Sequence, residues 1–474
     1  MSDLSVLDAV GQAELVQRGD ATPRELVEAA IERIESVDPR LNAVVARFFD
    51  RALAEVDAGL PDGPFRGVPF LLKDLGATLG GTIQTKGSRA LRAKVSASDS
   101  ELTRRYRAAG FVMLGKTATP EFGNHSTAEA VLWGPTRNPW DPSRTTGGSS
   151  GGSGAAVASG MVPAAHGNDG AGSIRIPSSA CGLVGMKPTR GRNSWAPAGD
   201  ELSGVAMEHV LTRSVRDSAA ILDVTAGWVP GDPSIAPAPE RPFRDEVGRD
   251  PGRLRIAWTA TPPFDGVVVD PSCVAAVRDT AALLATLGHE VEESAPEFDG
   301  EILIEPFARV WAIANEESHR SVVRHLGREP EADELEETTW ELIDYAKRFD
   351  AVDLLDALAQ LAGATRAIGP FFETHDVWLT PTLARPPDPL GVLNRSRGGA
   401  VEWWRFDCSF NPWNPIANMT GQPAMSLPLA MTDDGLPVGV LLNGRFGDES
   451  TLYRLGGQLE AVRPWRERRP PIHA

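Results

Sequence analysis

Residues 145–192 read TTGGSSGGSGAAVASGMVPAAHGNDGAGSIRIPSSACGLVGMKPTRGR, a stretch composed unlike the chain around it. Glycine, serine and alanine dominate it, with no aromatic residue and few charges. Such bias usually marks a linker. Here it encloses an apolar run from Ala155 to Met161, isolated charges at Asp169 and Arg175, and prolines where a fold would turn. Glycine permits backbone conformations and close approaches that side chains forbid. Seeded with serines, the stretch reads as the floor of an active site.

The rest of the chain reads as its support. At 474 residues it can bury a large core, and 42% hydrophobic with 23% charged residues is an ordinary globular composition. A net charge of −17 disfavours a general nucleic-acid binder, which needs basic patches. Cys181, Cys273 and Cys408 form no CxxC pair or disulfide framework, which fits a reducing compartment. The first twenty residues carry acids and lack the basic start and apolar core of a signal peptide. No run approaches the ~18 apolar residues of a membrane span. The expectation is a cytoplasmic protein without membrane or nucleic-acid partners.

Helix and strand signals alternate outward from the stretch. Thr22-Pro23-Arg24-Glu25 is a capping box with proline at the first helical position. Helical spacing is also read over 42–60, and over 98–109 with Ser98 and Glu101 as a box. Val68–Leu72 and Phe111–Leu114 read as buried strands, the first ending in Lys73-Asp74. Further strands are expected at 254–258, 289–293 and 377–379, and a paired set around Asp433-Asp434-Gly435. Helices are expected at 214–226, 270–287 and 450–461. Alternation of this kind predicts an α/β fold. Residues 301–372 read as a mostly helical region, and 383–400 as a long proline- and glycine-rich loop.

Several chemistries fit the glycine stretch poorly. Gly147–Gly154 lacks the lysine of a Walker A loop, and Gly152-Ser153-Gly154 is followed by alanines rather than completing GxGxxG. The eight histidines include no HExxH and no i, i+4 pair, so no metal site is expected. Gly147-Gly148-Ser149-Ser150-Gly151 fits GxSxG, the nucleophile elbow of α/β-hydrolases. That reading makes Ser149 the nucleophile and needs a later histidine, for which His375 is the candidate.

The two halves of the stretch together resemble the signature of the amidase signature family of serine hydrolases. Gly147–Ser153 leads into a helix, and Asp169-Gly170-Ala171-Gly172-Ser173-Ile174-Arg175-Ile176-Pro177 follows, with Cys181-Gly182 and Gly185–Thr189 beyond. Upstream, Gly67-Val68-Pro69-Phe70-Leu71-Leu72-Lys73-Asp74 matches the context of the family lysine. Pro120-Glu121-Phe122, Arg137–Trp140, Arg213–Asp217 and Thr420–Ala424 are further family-like pieces. The resemblance implies a central mixed sheet covered by helices on both faces. It also implies one domain over 1–474, with a signature core at about 65–230 and a substrate-side helical region at about 301–372.

It further implies a triad of Lys73 as base, Ser149 as proton relay after a cis peptide bond, and Ser173 as nucleophile. Ser173 lies 24 residues beyond Ser149, the family spacing. A serine hydroxyl needs a positioned base, and a lysine serves only if burial lowers its pKa. Peptide N–H groups of Gly170, Ala171, Gly172 and Ser173 would form the oxyanion hole, with Ser150, Asp169 and Arg175 in support. Gly123, Asn124 and His125 match the loop beside the nucleophile, and Trp311, Trp403, Trp404 and Trp413 are candidates for the substrate pocket.

No cofactor is implied. The expected substrate is a small-molecule amide, anilide, ester or carbamate, and a homodimer is compatible with the pattern. His166-Gly167-Asn168-Asp169 is similar to bacterial hydrolases of small synthetic amides, including cyclic-dimer hydrolases of nylon oligomers. A glutamine amidotransferase subunit acting with a partner and tRNA is the rival reading, against which Ile176 stands where that branch usually carries glutamine.

Overall fold

The computed structural model describes residues 4–474, so residues 1–3 of the acidic start lie outside the description. Eleven described strands form one mixed sheet: β1 (Val44–Arg47), β2 (Pro69–Lys73), β3 (Val112–Thr117), β4 (Ala164–Asp169), β5 (Val184–Lys187), β6 (Met207–Thr212), β7 (Arg255–Trp258), β8 (Glu290–Glu293), β9 (Val377–Pro381), β10 (Ala424–Met431) and β11 (Pro437–Gly444). Their order is β1-β3-β2-β4-β6-β5-β10-β11-β9-β7-β8. β2 runs parallel to β3 and β4, while β6, β5, β10, β11 and β9 continue antiparallel.

Strand periodicity sends alternate side chains to opposite faces. On β2, Leu71 joins a cluster with Val27, Ile34 and Ala155, from helices Pro23–Leu41 and Gly151–Ala158. Phe70 and Leu72 face the other way, toward Leu102, Tyr106 and Ile221. The far half repeats this. Trp378 and Leu441 face the helices of the 301–372 region, while Val377 and Val440 face helices Pro271–Thr286 and Glu449–Val462. The sheet is therefore covered by helices on both faces, as expected.

Two local expectations change, and one loop is anchored. Residues 42–60 are not one helix: the preceding helix ends at Asn42 in the left-handed conformation, followed by β1 and a helix over Phe49–Ala58. Asp38 explains the break, because its carboxylate accepts the N–H groups of Ala43 (2.7 Å) and Val44 (3.0 Å). The helix read from Ser98 starts at Glu101, and its cap is Ser100, whose Oγ accepts the Thr103 N–H at 3.3 Å. The loop at 383–400 is tied down: Asp388 O accepts the Thr145 N–H at 2.9 Å, and the Leu390 N–H donates to Ser143 O at 3.0 Å.

Candidate active site

Chain connectivity brings three distant residues to one end of the sheet. β2 ends at Lys73, residues 147–150 lead into the small-residue helix Gly151–Ala158, and β4 runs through a turn into helix Arg175–Cys181. The Gly148–Ser149 peptide bond is cis. Gly148 has no alternative, because a Cβ there would overlap the Thr127 backbone.

Lys73 is fully buried. Its Nζ lies 2.6 Å from Ser149 Oγ and 2.5 Å from Asn168 Oδ1. Burial holds this amine well below the usual lysine range, while the charges of Asp169 and Glu208 oppose the shift without matching it. A neutral amine can accept a proton, so the environment equips Lys73 as a base. Behind it, His166 Nδ1 accepts the Lys73 N–H at 3.3 Å, and His166 Nε2 stands 3.2 Å from Glu208 Oε1. The sequence analysis gave His166 no role beyond its place in the His-Gly-Asn-Asp segment and did not single out Glu208, a lone carboxylate between Met207 and His209.

Ser149 and Ser173 open onto one cavity of about 520 Å³, whose wall includes Gly123, Asn168, Gly170, Trp311 and Asn315. Ser150 braces both serine segments: its N–H donates to Ser173 O, and its Oγ to Asn168 O, each at 3.2 Å.

The turn before Ser173 hangs on a buried ion pair. Arg175 donates to Asp169 through Nε (2.9 Å) and Nη2 (2.8 Å). Burial alone would raise the Asp169 pKa, but the Arg175 guanidinium holds it well below the usual carboxylate range. Asp169 Oδ1 also accepts the Gly172 N–H at 2.7 Å. That bond corrects one expectation, since an N–H committed to a buried carboxylate is not free for an oxyanion. Glycine is required at 172 because φ is +124°.

The expected substrate residues divide. Gly123 and Trp311 line the cavity. Asn124 is saturated within the protein: Nδ2 donates to Asn315 Oδ1 (2.9 Å) and Thr339 Oγ1 (3.2 Å), while Oδ1 accepts from Trp311 Nε1 (2.9 Å) and Asn315 Nδ2 (3.0 Å). It fixes two cavity side chains instead of presenting a free amide. Asn124→Leu should therefore strand the buried Trp311 and Asn315 groups and cost about 1–3 kcal/mol, read as a lower urea midpoint. An unchanged midpoint would refute this role.

Trp404, Trp403 and His125 line a second, narrow slot of about 10 Å³ that also reaches Ser173, too small for a substrate group. Burial lowers the His125 pKa to about 4. Trp413 is fully buried and borders neither space; its Nε1 donates to Thr261 O at 3.4 Å. His375 is engaged elsewhere, with Nε2 2.7 Å from Glu292 Oε1 and its ring stacked on Phe371 at 4.2 Å. The histidine that a Ser149 nucleophile would need is thus not supplied by His375.

Fold and site together define a hydrolase of carbon–nitrogen bonds in non-peptide amides. The chain belongs to the amidase family, whose model, described as Amidase, matches residues 25–453. It is 40% identical to a 6-aminohexanoate-cyclic-dimer hydrolase of Paenarthrobacter ureafaciens, over 98% of this chain and 96% of that protein. A solved 6-aminohexanoate cyclic dimer hydrolase superposes with TM-score 0.93 at 38% identity, covering 100% of both chains. A bacterial aryl acylamidase of the amidase signature family superposes with TM-score 0.87 at 28% identity, over 97% of this chain and 96% of that one. These findings favour amide hydrolysis over the amidotransferase reading. Among the described residues, no helix is long and apolar enough to cross a membrane.

Proposed function

We propose that the protein hydrolyses small amides through an acyl-enzyme on Ser173, with Ser149 as proton relay and Lys73 as base. The observation that carries this reading is the 2.6 Å approach of the buried Lys73 Nζ to Ser149 Oγ, beside a cavity that both serines line. Neutral Lys73 takes the Ser149 proton as Ser149 takes that of Ser173. The freed Ser173 oxygen attacks the substrate carbonyl carbon. Gly170, Ala171 and Ser173 N–H groups receive the oxyanion, each such donor being worth about 10²–10³ in rate. The relay then returns a proton to the leaving nitrogen, the C–N bond breaks, and water cleaves the acyl ester by the same relay.

The cavity wall is mostly neutral, its charged lining residues being the exposed Asp200 and Glu317 and the half-buried Lys86. That arrangement suits an uncharged amide, anilide or carbamate whose polar ends reach solvent. The relatives' substrates, a cyclic amide dimer and aryl acylamides, fit the same description. Trp311 and Asn315 come from helix Ile304–Leu326, which supports the 301–372 region as the substrate side of one catalytic domain.

A fluorophosphonate should label Ser173, and purified protein should cleave simple aryl amides without ATP or a second chain. Adduct mapping by peptide mass spectrometry decides the first point. Label on Ser149 would overturn the assignment, and activity only with ATP and a partner would return the amidotransferase reading.

A further inference from the structure

A neutral amine carries two N–H groups and one lone pair, and it acts as a base only where the lone pair faces the proton it takes. Among the described residues, Lys73 Nζ has two hydrogen-bonding neighbours, Ser149 Oγ at 2.6 Å and Asn168 Oδ1 at 2.5 Å. A hydroxyl can donate or accept, whereas an amide oxygen only accepts. Asn168 is held with that oxygen toward Lys73, because its Nδ2 donates to Leu75 O at 3.2 Å. Turning the amide over would set two acceptors, Oδ1 and the Leu75 carbonyl, against each other. The Asn168 backbone is fixed as well. It lies on β4 opposite Glu208 of β6, and its carbonyl accepts from Ser150 Oγ at 3.2 Å.

Resting on the acyl-enzyme reading above, we propose that Asn168 is a positioning residue for the base: its amide oxygen takes one N–H of Lys73, which leaves the lone pair of the neutral amine for the Ser149 hydroxyl. In the forward step that lone pair takes the Ser149 proton, Ser149 Oγ takes the Ser173 proton, and an electron pair of the Ser173 oxygen forms the bond to the carbonyl carbon. Lys73 is then an ammonium, and Asn168 Oδ1 still accepts one of its three N–H groups. When the relay delivers a proton to the leaving nitrogen, the amine is neutral again. A neutral amide suits both states, since it accepts an N–H in each and adds no full charge that would hold the proton on Lys73.

The charged and titratable groups around the amine are committed elsewhere. Asp169, next on β4, is paired with Arg175. His166 Nδ1 accepts the Lys73 main-chain N–H, and its Nε2 stands 3.2 Å from Glu208 Oε1; burial lowers the His166 pKa. The Asp74 carboxylate accepts the Thr85 N–H at 2.9 Å, and burial raises its pKa. Lys116 on β3 donates to Ala77 O at 3.0 Å, and burial lowers its pKa to about 8. Among the described residues, none of these side chains hydrogen-bonds to Lys73 Nζ. The amide oxygen of Asn168 is therefore the contact through which the orientation of the amine can be tested.

The test compares pH–rate profiles of wild type, Asn168→Asp and Asn168→Leu on one aryl amide. Asn168→Asp keeps the volume and an acceptor oxygen but adds a charge beside the amine. An opposite charge at that range favours the ammonium, so the rising limb of the rate should move upward by about one pH unit or more. Asn168→Leu removes the acceptor and lets the lone pair turn away from Ser149. It should lower kcat on the order of 10-fold to 10²-fold on the alkaline plateau, the size expected of a misplaced reacting geometry, with no upward move of the limb. A merely structural role would lower both rates and leave the limb where it is in wild type. An unmoved limb in Asn168→Asp, or wild-type kcat in Asn168→Leu, would overturn the proposal, and either variant decides it if the other fails to fold. Fluorophosphonate labelling of Ser173 in the wild type decides the underlying acyl-enzyme reading separately.

Discussion

Ser173→Ala is expected to lower kcat by about 10⁴-fold or more, with KM and thermal midpoint close to wild type. The asymmetry follows from where Ser173 is tied. Its carbonyl accepts the Ser150 N–H at 3.2 Å, a bond that alanine keeps. Its side chain lines the cavity and takes no part in the Asp169–Arg175 clamp, so deletion removes a reacting oxygen and little packing. Ser149→Ala should behave differently, because it removes the group facing Lys73 Nζ and leaves a buried amine short of a partner. Steady-state kinetics and thermal melts on both variants check the contrast. Near wild-type turnover in Ser173→Ala would sink the acyl-enzyme proposal outright.

Much of this architecture was legible because β2 and β3 announce themselves. Val68–Leu72 and Phe111–Leu114 are unbroken apolar runs, as fully buried strands require. The central β4, β5 and β6 were hidden. β4 reads AAHGND, mostly residues depleted in strands, and β6 reads MEHVLT with a glutamate and a histidine inside it, yet every one is buried. Their polar groups stay inside because they belong to the site: Asn168 Oδ1 faces Lys73, and Asp169 anchors the turn. A sequence shows a residue's neighbours along the chain, not how many of its hydrogen bonds are already taken. Asn124 therefore looked like a ligand and proved saturated, and Gly172 looked like a free N–H and proved committed. Trp413 shows the same limit for aromatics, since residue type alone says nothing about which side of a wall the ring occupies.

Lys73→Met should reduce kcat by about 10²–10⁴-fold, the range for losing a general base. Its second expected effect tests protonation directly. Folded Lys73 is held well below its ordinary pKa, first by burial, whereas the unfolded chain keeps the proton until near pH 10.4. Between those values the unfolded state binds more protons, so wild-type stability rises with pH. Above the unfolded pKa the penalty is absent; it grows as pH falls and is complete below the folded value. Methionine carries no such penalty. The stability of the variant relative to wild type should therefore be most favourable near neutral pH and decline toward pH 10, on top of a constant cost for the Asn168 oxygen left without its 2.5 Å partner. Urea unfolding of both proteins at several pH values measures this. A difference that does not change with pH would mean that folded Lys73 keeps its proton, and a charged lysine cannot serve as the base. Activity must agree: the wild-type rate should climb as Lys73 sheds its proton and then level. A rate that falls above pH 7 with the fold intact would speak against a lysine base as strongly as a flat stability difference.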